Sequence, residues 1–391
     1  MTSASIKDAL VSDAIDWRRD FHAHPELGYQ EVRTSSRVAQ LLESFGLEVH
    51  RGLGGTGLVG ILENGPGPSI GLRADMDALP IQEVAQTEHC SKHEGCMHAC
   101  GHDGHTSIML ATARYLSENR HFAGRVVFIF QPAEETGAGA KRMIEDGLFE
   151  RFPVDYVYAL HNWPGIPQGG LQVNPGAMMA SQDMFDIVLQ GKGCHAAMPH
   201  NGLDPVVVAG QLVSGLQTLV SRRLSPFNPA VLSVTAIDAG TAYNVIPDTA
   251  TLRGTVRCLD GPTREKVEAL IREMVGSLSE AFGLTATVHY RRGYPVTQND
   301  PTAARRVRLI AERLLGAANV IWDAHPSMAT EDFSYMLQVC PGAYFWLGND
   351  RHRGESVPLH NPRYDFNDEL VLIGMQLLIE LVTSHSEMYN H

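Results

Sequence analysis

The stretch RVVFIFQ, residues 125–131, is the clearest indication of the fold class of this chain. An uninterrupted apolar run of this length is typical of a strand that is buried on both faces. A second run of the same kind, DYVYALH, covers residues 155–161. Strands of this type occur in sheets whose connections are helices packed on either side. The two runs therefore predict an α/β domain with a mostly parallel sheet.

The segments around these runs supply the other elements of such a domain. We expect helices where apolar residues recur with helical periodicity, and strands in short apolar runs bounded by turn residues. This criterion predicts helices at 31–46, 105–119, 301–316, 331–339 and near the C-terminus, and strands at 57–63, 69–74, 318–322 and 343–348. The resulting sheet is mixed, mostly parallel and flanked by helices.

The pattern changes between residues 183 and 295. The order there is strand, helix, strand, strand, helix, strand, which is that of a small ferredoxin-like α+β domain. The six elements are expected at 184–191, 204–222, 230–240, 249–258, 263–283 and 285–293. Because the α/β pattern resumes after residue 296, we expect one discontinuous domain, 1–182 and 296–391, interrupted by an inserted domain, 183–295.

Composition and charge narrow the range of partners. The chain has 391 residues and a formal net charge of −13, which disfavours binding to nucleic acid or to an anionic membrane surface. The N-terminal segment lacks the apolar core of a signal peptide, and the apolar run at 370–382 is too short to span a bilayer. Six cysteines without an export signal do not predict a disulfide framework. We therefore expect a cytoplasmic protein with free thiols.

The stretch HACGHDGH, residues 98–105, is a candidate metal site. Cys100 and His102 lie two positions apart on a glycine-bounded loop before a predicted helix, and thiolate and imidazole suit borderline-soft divalent metals such as zinc. The cluster is also compatible with a polar loop that carries an incidental thiol. A third interpretation makes Cys100 a nucleophile with His102 as its base.

Three predicted strands end in further side chains of this type. Asp75 and Asp77 follow strand 69–74, Glu134 and Glu135 follow strand 125–131, and His161 follows strand 155–160. Ligands of open α/β sheets bind outside the carboxyl ends of the strands, so these residues are expected to converge. One glutamate of the pair can bind metal while its neighbour takes a proton from water, and a thiolate such as Cys100 can bridge two ions. His360, in a Pro/Asn loop near the C-terminus, is by itself more typical of a surface or capping residue.

Several other histidines and cysteines have no clear assignment from their spacing. His22 and His24 are expected to make structural hydrogen bonds near the domain surface. His105 is expected in the first turn of the helix that follows the cluster, where it either supports the metal ligands or caps the helix. The cysteines outside the cluster are left without a role in this interpretation: Cys90, Cys96 and Cys194.

Taken together, the motifs resemble a known family along nearly the whole chain. They are RDFHAHPELGYQE, RADMDALP, MHACGHDGHT, QPAEE, LHNWPG, GKGCHAAMPH, AYNVIPD, GTVR and ATEDFSYM. The chain is similar to the amidohydrolase branch of the dinuclear metallopeptidase and aminoacylase family, which includes hippurate hydrolases, N-acyl amino acid amidohydrolases and auxin-conjugate hydrolases.

The resemblance implies a role for each residue of the cluster. It implies that Cys100 bridges two divalent ions, with the other ligands being His102, Glu135, His161 and His360. It also implies that Glu134 is the general base and that Asp75 orients the ligands. The wider family has a histidine where this chain has Arg73 and a bridging aspartate where it has Cys100. The metal is therefore open among zinc, manganese, nickel and cobalt.

The resemblance assigns the inserted domain to a lid and dimerisation module and the discontinuous domain to catalysis. His195 matches a histidine that reaches the partner subunit's site and donates to the oxyanion. Asn244 and Arg257 match positions that bind the substrate's carboxylate, although Arg257 is also compatible with pairing to an acidic neighbour. These features imply a homodimer or homotetramer.

The preferred functional interpretation is a metal-dependent amidohydrolase that cleaves N-acyl amino acids to a carboxylic acid and a free amino acid. The nearest alternative keeps this dinuclear chemistry but cleaves a peptide, as a dipeptidase or carboxypeptidase. A hydrolase with Cys100 as nucleophile and a metal-binding protein without catalysis are the other classes. The spare carboxylate of Glu134 argues against the last, because a pure binding site does not need it.

Overall fold

The computed structural model of the chain describes residues 6–351 and 356–389. The chain divides into two compact units. Unit 1 comprises Met1–Met178, Gln298–His325 and Glu331–His391, and unit 2 comprises Met179–Thr297 and Pro326–Thr330. The assignment of these units to catalysis and to a lid is a proposal about their function.

The helices and strands are numbered in chain order. The strands within the described residues are β1 (Glu48–Leu53), β2 (Gly57–Asn64), β3 (Ser69–Asp75), β4 (Gly124–Gln131), β5 (Tyr156–Pro167), β6 (Leu171–Val173), β7 (Ala177–Met179), β8 (Asp183–Gln190), β9 (Cys194–His195), β10 (Ala230–Asp238), β11 (Val245–Ile246), β12 (Thr249–Cys258), β13 (Thr285–Arg292), β14 (Thr297–Gln298), β15 (Val320–Trp322) and β16 (Gly342–Asp350). The α-helices are α1 (Asp8–Ala23), α2 (Val32–Ser44), α3 (His102–Glu118), α4 (Glu134–Gly137), α5 (Gly139–Glu145), α6 (Leu148–Arg151), α7 (Pro205–Thr218), α8 (Gly261–Ala281), α9 (Pro301–Leu315), α10 (Ser334–Val339) and α11 (Leu370–Tyr389).

Unit 1 is built on an eight-stranded sheet with the order β1-β2-β4-β3-β5-β16-β6-β15. Its central strands β4, β3, β5 and β16 run parallel to one another. Antiparallel pairing joins β1 to β2, β2 to β4 and β16 to β6. The predicted fold class, a mixed and mostly parallel sheet flanked by helices, is confirmed.

The burial of the central strands explains their apolar sequences. Every residue of β16 is buried, and in β4 only Arg125 is not fully buried. Helix α3 is buried along most of its length and packs against α1, α11 and β3. Because α3 is held on several sides, its first residue, His102, has a fixed position at the edge of the sheet.

Two element boundaries differ from the prediction in ways that affect the site. Helix α3 begins at His102, three residues before the predicted start, so His102 belongs to the helix and not to the loop. Strand β5 continues to Pro167 because it stays paired with β16 as far as Asp350. His161 therefore lies inside a strand and not after its end.

Unit 2 contains a four-stranded antiparallel sheet with the order β10-β12-β8-β13. With α7 and α8 in the connections, this is the ferredoxin-like arrangement. Residues alternate between buried and more exposed along β8, as expected for a sheet with helices on one face.

Among the described residues, the structure contains no helix with the length and apolar character of a membrane span.

Three helices begin at an aspartate that is followed by proline in the first turn. The carboxylates of Asp204, Asp260 and Asp300 accept hydrogen bonds from backbone N–H groups of α7, α8 and α9, respectively. Such caps satisfy donors that the first turn leaves unpaired, and proline tolerates this position because its missing N–H is not needed there. The starts of these helices are thus encoded locally.

Candidate metal centre

The site lies at the carboxyl edge of the central strands of unit 1. Strand β3 ends at Asp75, β4 is followed by Glu134 and Glu135 in the short helix α4, and β5 carries His161. The αL conformation of Ala133, with φ of 51°, turns the chain sharply between β4 and α4. This turn brings both glutamates back towards the sheet edge.

The structure brings the five predicted ligand residues together. One ligand atom each of Cys100, His102 and Glu135 lies within 4.8 Å of the others. The Sγ atom of Cys100 lies 3.5 Å from Nε2 of His161, and Nε2 of His360 lies 3.2 Å from Oε1 of Glu135. The thiol of Cys100 thus lies between the imidazoles of His102 and His161 and the carboxylate of Glu135. His360 contacts that carboxylate.

The imidazole rings of His102 and His161 are oriented as metal ligands require. Nδ1 of His102 donates to the carbonyl oxygen of Asp77 at 2.8 Å, and Nδ1 of His161 donates to the carbonyl oxygen of Asn162 at 2.6 Å. Within residues 6–351 and 356–389, Nε2 of His102 is buried and has no hydrogen-bond partner. Backbone carbonyls that fix Nδ1 and present Nε2 are the usual support of a metal-binding histidine. The residues therefore fit divalent cations.

The electrostatics of the site favour positive charge. Burial, together with Glu135 and Glu134, raises the pKa of Cys100 well above its usual range. Burial opposes protonation of His102, but Asp75 and Asp77 outweigh it and raise the pKa of His102 to about 10. Without a cation the thiol keeps its proton and the ring gains one. Divalent ions would replace these protons, because they satisfy the same negative surroundings.

Glu134 is buried beside two other acids. One carboxylate oxygen each of Glu134, Glu331 and Asp332 lies within 4.8 Å of the others, and the backbone N–H of Asp332 donates to Oε1 of Glu134 at 3.3 Å. Burial, Glu331 and Glu135 raise the pKa of Glu134 well above its usual range. A carboxyl group in these surroundings can accept a proton and pass it on.

Arg73 is fully buried and binds the acids on this side of the site. Its guanidinium donates to Gln131 at 2.7 Å, Asp75 at 2.8 Å, Glu331 at 2.9 Å and Asp332 at 3.1 Å. Arginine stays protonated in proteins and has no lone pair for a metal. It therefore holds the carboxylates in place where the wider family, by the resemblance, has a histidine.

Three residues outside the predicted ligand set support the ligands, and for His105 this was one of the two expected roles. Asp77 accepts from His102 through its carbonyl and from the backbone N–H of Glu135 through Oδ2 at 3.0 Å. The ring nitrogens of His105 lie 2.6 Å from Asp75 Oδ1 and 2.6 Å from Asn162 Oδ1. Because both nitrogens of His105 are engaged, it orients Asp75 and is not a ligand. The signal available for Asp77 was the alternation in RADMDALP, with Asp75 and Asp77 two positions apart.

The structure also corrects the expectation for His22. Its ring is buried, with Nδ1 2.8 Å from Asp103 Oδ2 and Nε2 3.3 Å from Glu83 Oε1. His22 is therefore part of the interior next to helix α3 and does not lie near the surface. The six cysteines are all free, as expected.

The predicted residues of unit 2 occupy two places. Strand β9 pairs with β11 so that His195 lies opposite Val245, and the N–H of Ala196 donates to the carbonyl of Asn244 at 3.0 Å. This brings His195 and Asn244 together, and both are exposed. Nδ1 of His195 accepts from the N–H of Ala197 at 3.1 Å, which leaves Nε2 as a donor.

Arg257 lies in β12, opposite Val231 of β10. Its Nη1 atom is buried without a hydrogen-bond partner in the part of the chain that the structure describes. The acidic neighbour Asp183 is paired with Arg264 and also accepts from Tyr290 at 2.8 Å. The Nη1 atom of Arg257 therefore forms no hydrogen bond to this acidic neighbour.

This arrangement agrees with comparisons to known proteins. Residues 71–384 match the sequence profile of peptidase family M20/M25/M40. The chain belongs to this family. It is 42% identical over 355 residues to a hippurate hydrolase of Campylobacter jejuni, covering 90% of this chain and 91% of the relative. It is 38% identical over 375 residues to thermostable carboxypeptidase 2 of Saccharolobus solfataricus, covering 93% and 94%.

A solved relative shares the whole fold. It is a Bacillus subtilis protein described as a dinuclear metal-binding peptidase of the M20 family, with a TM-score of 0.86 and 35% identity, covering 97% of this chain and 99% of that one. The protein is therefore a hydrolase of the M20 family with a set of candidate metal ligands. The resemblance inferred from the motifs is confirmed.

Proposed function

We propose that this M20 hydrolase cleaves the amide bond of N-acyl amino acids with two divalent cations. The observation that carries the proposal is the ligand set of Cys100, His102, Glu135, His161 and His360, with Glu134 buried beside it and not needed as a ligand. A bridging thiolate, three imidazoles and one carboxylate suit zinc, manganese, nickel or cobalt.

In the proposed reaction, a C–O bond forms and the amide C–N bond breaks. The cations, when bound, would polarise the acyl carbonyl and lower the pKa of a water molecule to about 7. Glu134 accepts the proton of the attacking water and passes it to the leaving nitrogen. His195 donates through Nε2 to the developing oxyanion. Arg257 and Asn244 bind the carboxylate of the amino acid.

In this proposal the acyl group of the substrate binds against two tryptophans next to His161. The rings of Trp163 and Trp346 are stacked, with centroids 3.9 Å apart and planes at 7°, and the Trp163 ring lies 6.0 Å from that of His161. Trp163 is partly exposed, whereas Trp346 is buried. A rigid apolar platform of this kind suits a flat acyl group such as benzoyl.

The dipeptidase form of the alternative requires a group that binds the free α-ammonium of the substrate, whereas a carboxypeptidase does not. Glu331 and Asp332 lie next to Glu134, and both are paired with the guanidinium of Arg73, at 2.9 Å and 3.1 Å. This pairing favours a neutral acyl group over an ammonium. The carboxypeptidase among the relatives keeps the alternative as the second candidate.

The proposal is tested with matched substrates and two variants. We expect kcat/KM for N-benzoylglycine and N-acetyl amino acids to exceed that for dipeptides with the same C-terminal residue by at least about tenfold, which corresponds to about 1.4 kcal/mol. Trp163→Ala should lower kcat/KM for the benzoyl substrate more than kcat/KM for the acetyl substrate. Trp163→Phe should restore most of the difference between the two substrates. Preference for the dipeptides would favour the alternative.

Metal analysis separates this chemistry from a cysteine nucleophile. Elemental analysis of reduced protein should give about two divalent ions per chain and clearly fewer in Cys100→Ser, because a hydroxyl is a poor bridging ligand. Chelation should abolish turnover. Full activity without stoichiometric metal would make Cys100 the nucleophile.

The proposal also includes a homodimer or homotetramer in which His195 acts on the partner subunit's site. Its exposure and its free Nε2 donor are consistent with a partner outside the subunit. Light scattering that detects only a 42.8 kDa species in active protein would exclude this role in trans.

A further inference from the structure

The segment that carries His360 is irregular, and side chains contribute to holding it in position. Residues 356–369, between β16 and α11, contain turns but no helix or strand. His360 has a φ of 64°, and its N–H donates to the carbonyl of Ala99 at 2.8 Å, next to Cys100. Its side chain is 51% exposed. A half-exposed ligand on an irregular segment can hold a metal only if the segment is fixed from elsewhere.

Arg18 of helix α1 binds this segment from the interior. The side chain is fully buried. Its guanidinium donates to Oδ1 of Asp368 at 2.8 Å, to Oδ1 of Asp365 at 3.0 Å and to the carbonyl oxygen of Phe366 at 3.2 Å. Three acceptors from four consecutive residues thus share one planar cation, and the chain is fixed five to eight residues beyond His360.

The same guanidinium reaches the other ligand-bearing segment. Its Nη1 lies 3.6 Å from Oδ2 of Asp103, which directly follows His102 in helix α3. Asp103 is fully buried and also binds His22 at 2.8 Å. Arg18 is therefore a link between the start of α3, with His102, and the irregular segment with His360.

We propose that Arg18 is a positioning residue of the metal centre, which sets the distance of His360 from the ligands on α3. The inference rests on the proposed function, because it takes His360 to be a ligand. Arg18 touches no reacting atom. It acts through geometry, because a planar fork can bind all these acceptors at once, whereas an ammonium at the same place cannot.

The chain offers a matched control in the neighbouring arginine. Arg19 also binds Asp368, at 2.8 Å, but its side chain is 46% exposed. An exposed pair of this kind contributes little to position or stability. Arg18→Lys and Arg19→Lys therefore make the same chemical change to two residues that share an acceptor, one buried and one exposed.

The test measures metal affinity without substrate, by elemental analysis after dialysis against graded zinc buffers. We expect Arg18→Lys to weaken the affinity for one of the two ions by about 10- to 100-fold, the range for residues that support metal ligands. Arg19→Lys should match the wild type. In a His360→Ala background, Arg18→Lys should have no further effect on metal affinity, because both changes act on the same ion.

A second variant covers the case in which Arg18→Lys does not fold. Asp365→Asn removes the negative charge of one acceptor on the His360 side and leaves the buried Asp103 paired, so it should weaken binding of the same ion by several-fold.

Wild-type affinity for both ions in folded Arg18→Lys, or in Asp365→Asn if the former does not fold, would overturn the inference. An equal loss of affinity with and without His360 would also overturn it. If His360→Ala keeps both ions, the proposed ligand set itself is wrong, and this outcome is distinct from the other two.

Discussion

Gly101 separates the two most clearly marked ligands, Cys100 and His102, and its replacement by alanine tests how closely the site is packed. Its φ is 94°, in the left-handed region, and a Cβ atom there would lie 2.3 Å from Oδ1 and 2.9 Å from Cγ of Asn162. Asn162 in turn accepts from Nδ1 of His161 through its carbonyl oxygen. The added methyl group therefore pushes against a residue that orients a ligand.

The cost has two parts, and the loop supplies a control that separates them. A left-handed conformation costs a non-glycine residue about 1–2 kcal/mol, and overpacking costs about 1–3 kcal/mol more. Gly95 has a φ of 72°, but apart from its chain neighbours no atom of the described residues lies within 4 Å of its added Cβ. We expect the free energy of unfolding to fall by about 1–2 kcal/mol in Gly95→Ala and by about 2–5 kcal/mol in Gly101→Ala.

The assay is urea unfolding of the metal-free variants, followed by zinc titration of the folded forms. Gly101→Ala should also bind zinc more weakly than Gly95→Ala, because the displaced Asn162 carries His161 with it. Equal unfolding free energies for the two variants, or an unchanged zinc affinity in Gly101→Ala, would refute the reasoning.

Three other changes address the base, the buried arginine and a buried histidine. Glu134→Gln should lower kcat by about 10²–10⁴-fold, as loss of a general base does, while elemental analysis still finds both ions; normal turnover would remove Glu134 from the mechanism. Arg73→Met should cost about 3–5 kcal/mol in urea unfolding, because it leaves buried carboxylates unpaired, whereas the exposed Arg51→Met should cost under about 1 kcal/mol; similar losses would contradict the pairing. Burial lowers the pKa of His385 to about 3, so the unfolded chain binds a proton that the folded one does not, and stability falls as pH drops below about 6.5. Between pH 7 and pH 5, the free energy of unfolding should fall by about 2 kcal/mol less in His385→Gln than in the wild type. An equal fall in both proteins would exclude this contribution.

The sequence was most informative where one residue type has few uses. A cysteine and a histidine two positions apart on a glycine loop, paired glutamates after a strand and a histidine in a neighbouring strand pointed to one edge of the sheet. The rule that parallel strands present their carboxyl ends to a common site was sufficient to group them. The apolar runs at 125–131 and 155–161 likewise predicted β4 and β5, because full burial requires apolar side chains on both faces.

The residues that support these ligands were not predictable in the same way. Asp77, His105 and Asn162 are polar residues of ordinary types, and each acts through the particular atom that it presents to a neighbour. Strand β1 was missed because half of its residues are exposed and its sequence, EVHRGL, is polar. It is a strand because its backbone pairs with β2.

Local pattern was thus enough for most of the central elements, the fold class and the candidate ligands, because periodicity and turn chemistry are properties of short segments. The arrangement around those ligands depended on folding of the whole unit. Arg18 and Asp368 are 350 positions apart, and Arg73 and Asp332 are 259 apart. The sequence of a short segment does not determine which arginine pairs with which carboxylate. The pairing depends on how the helices and strands that carry the two side chains pack together.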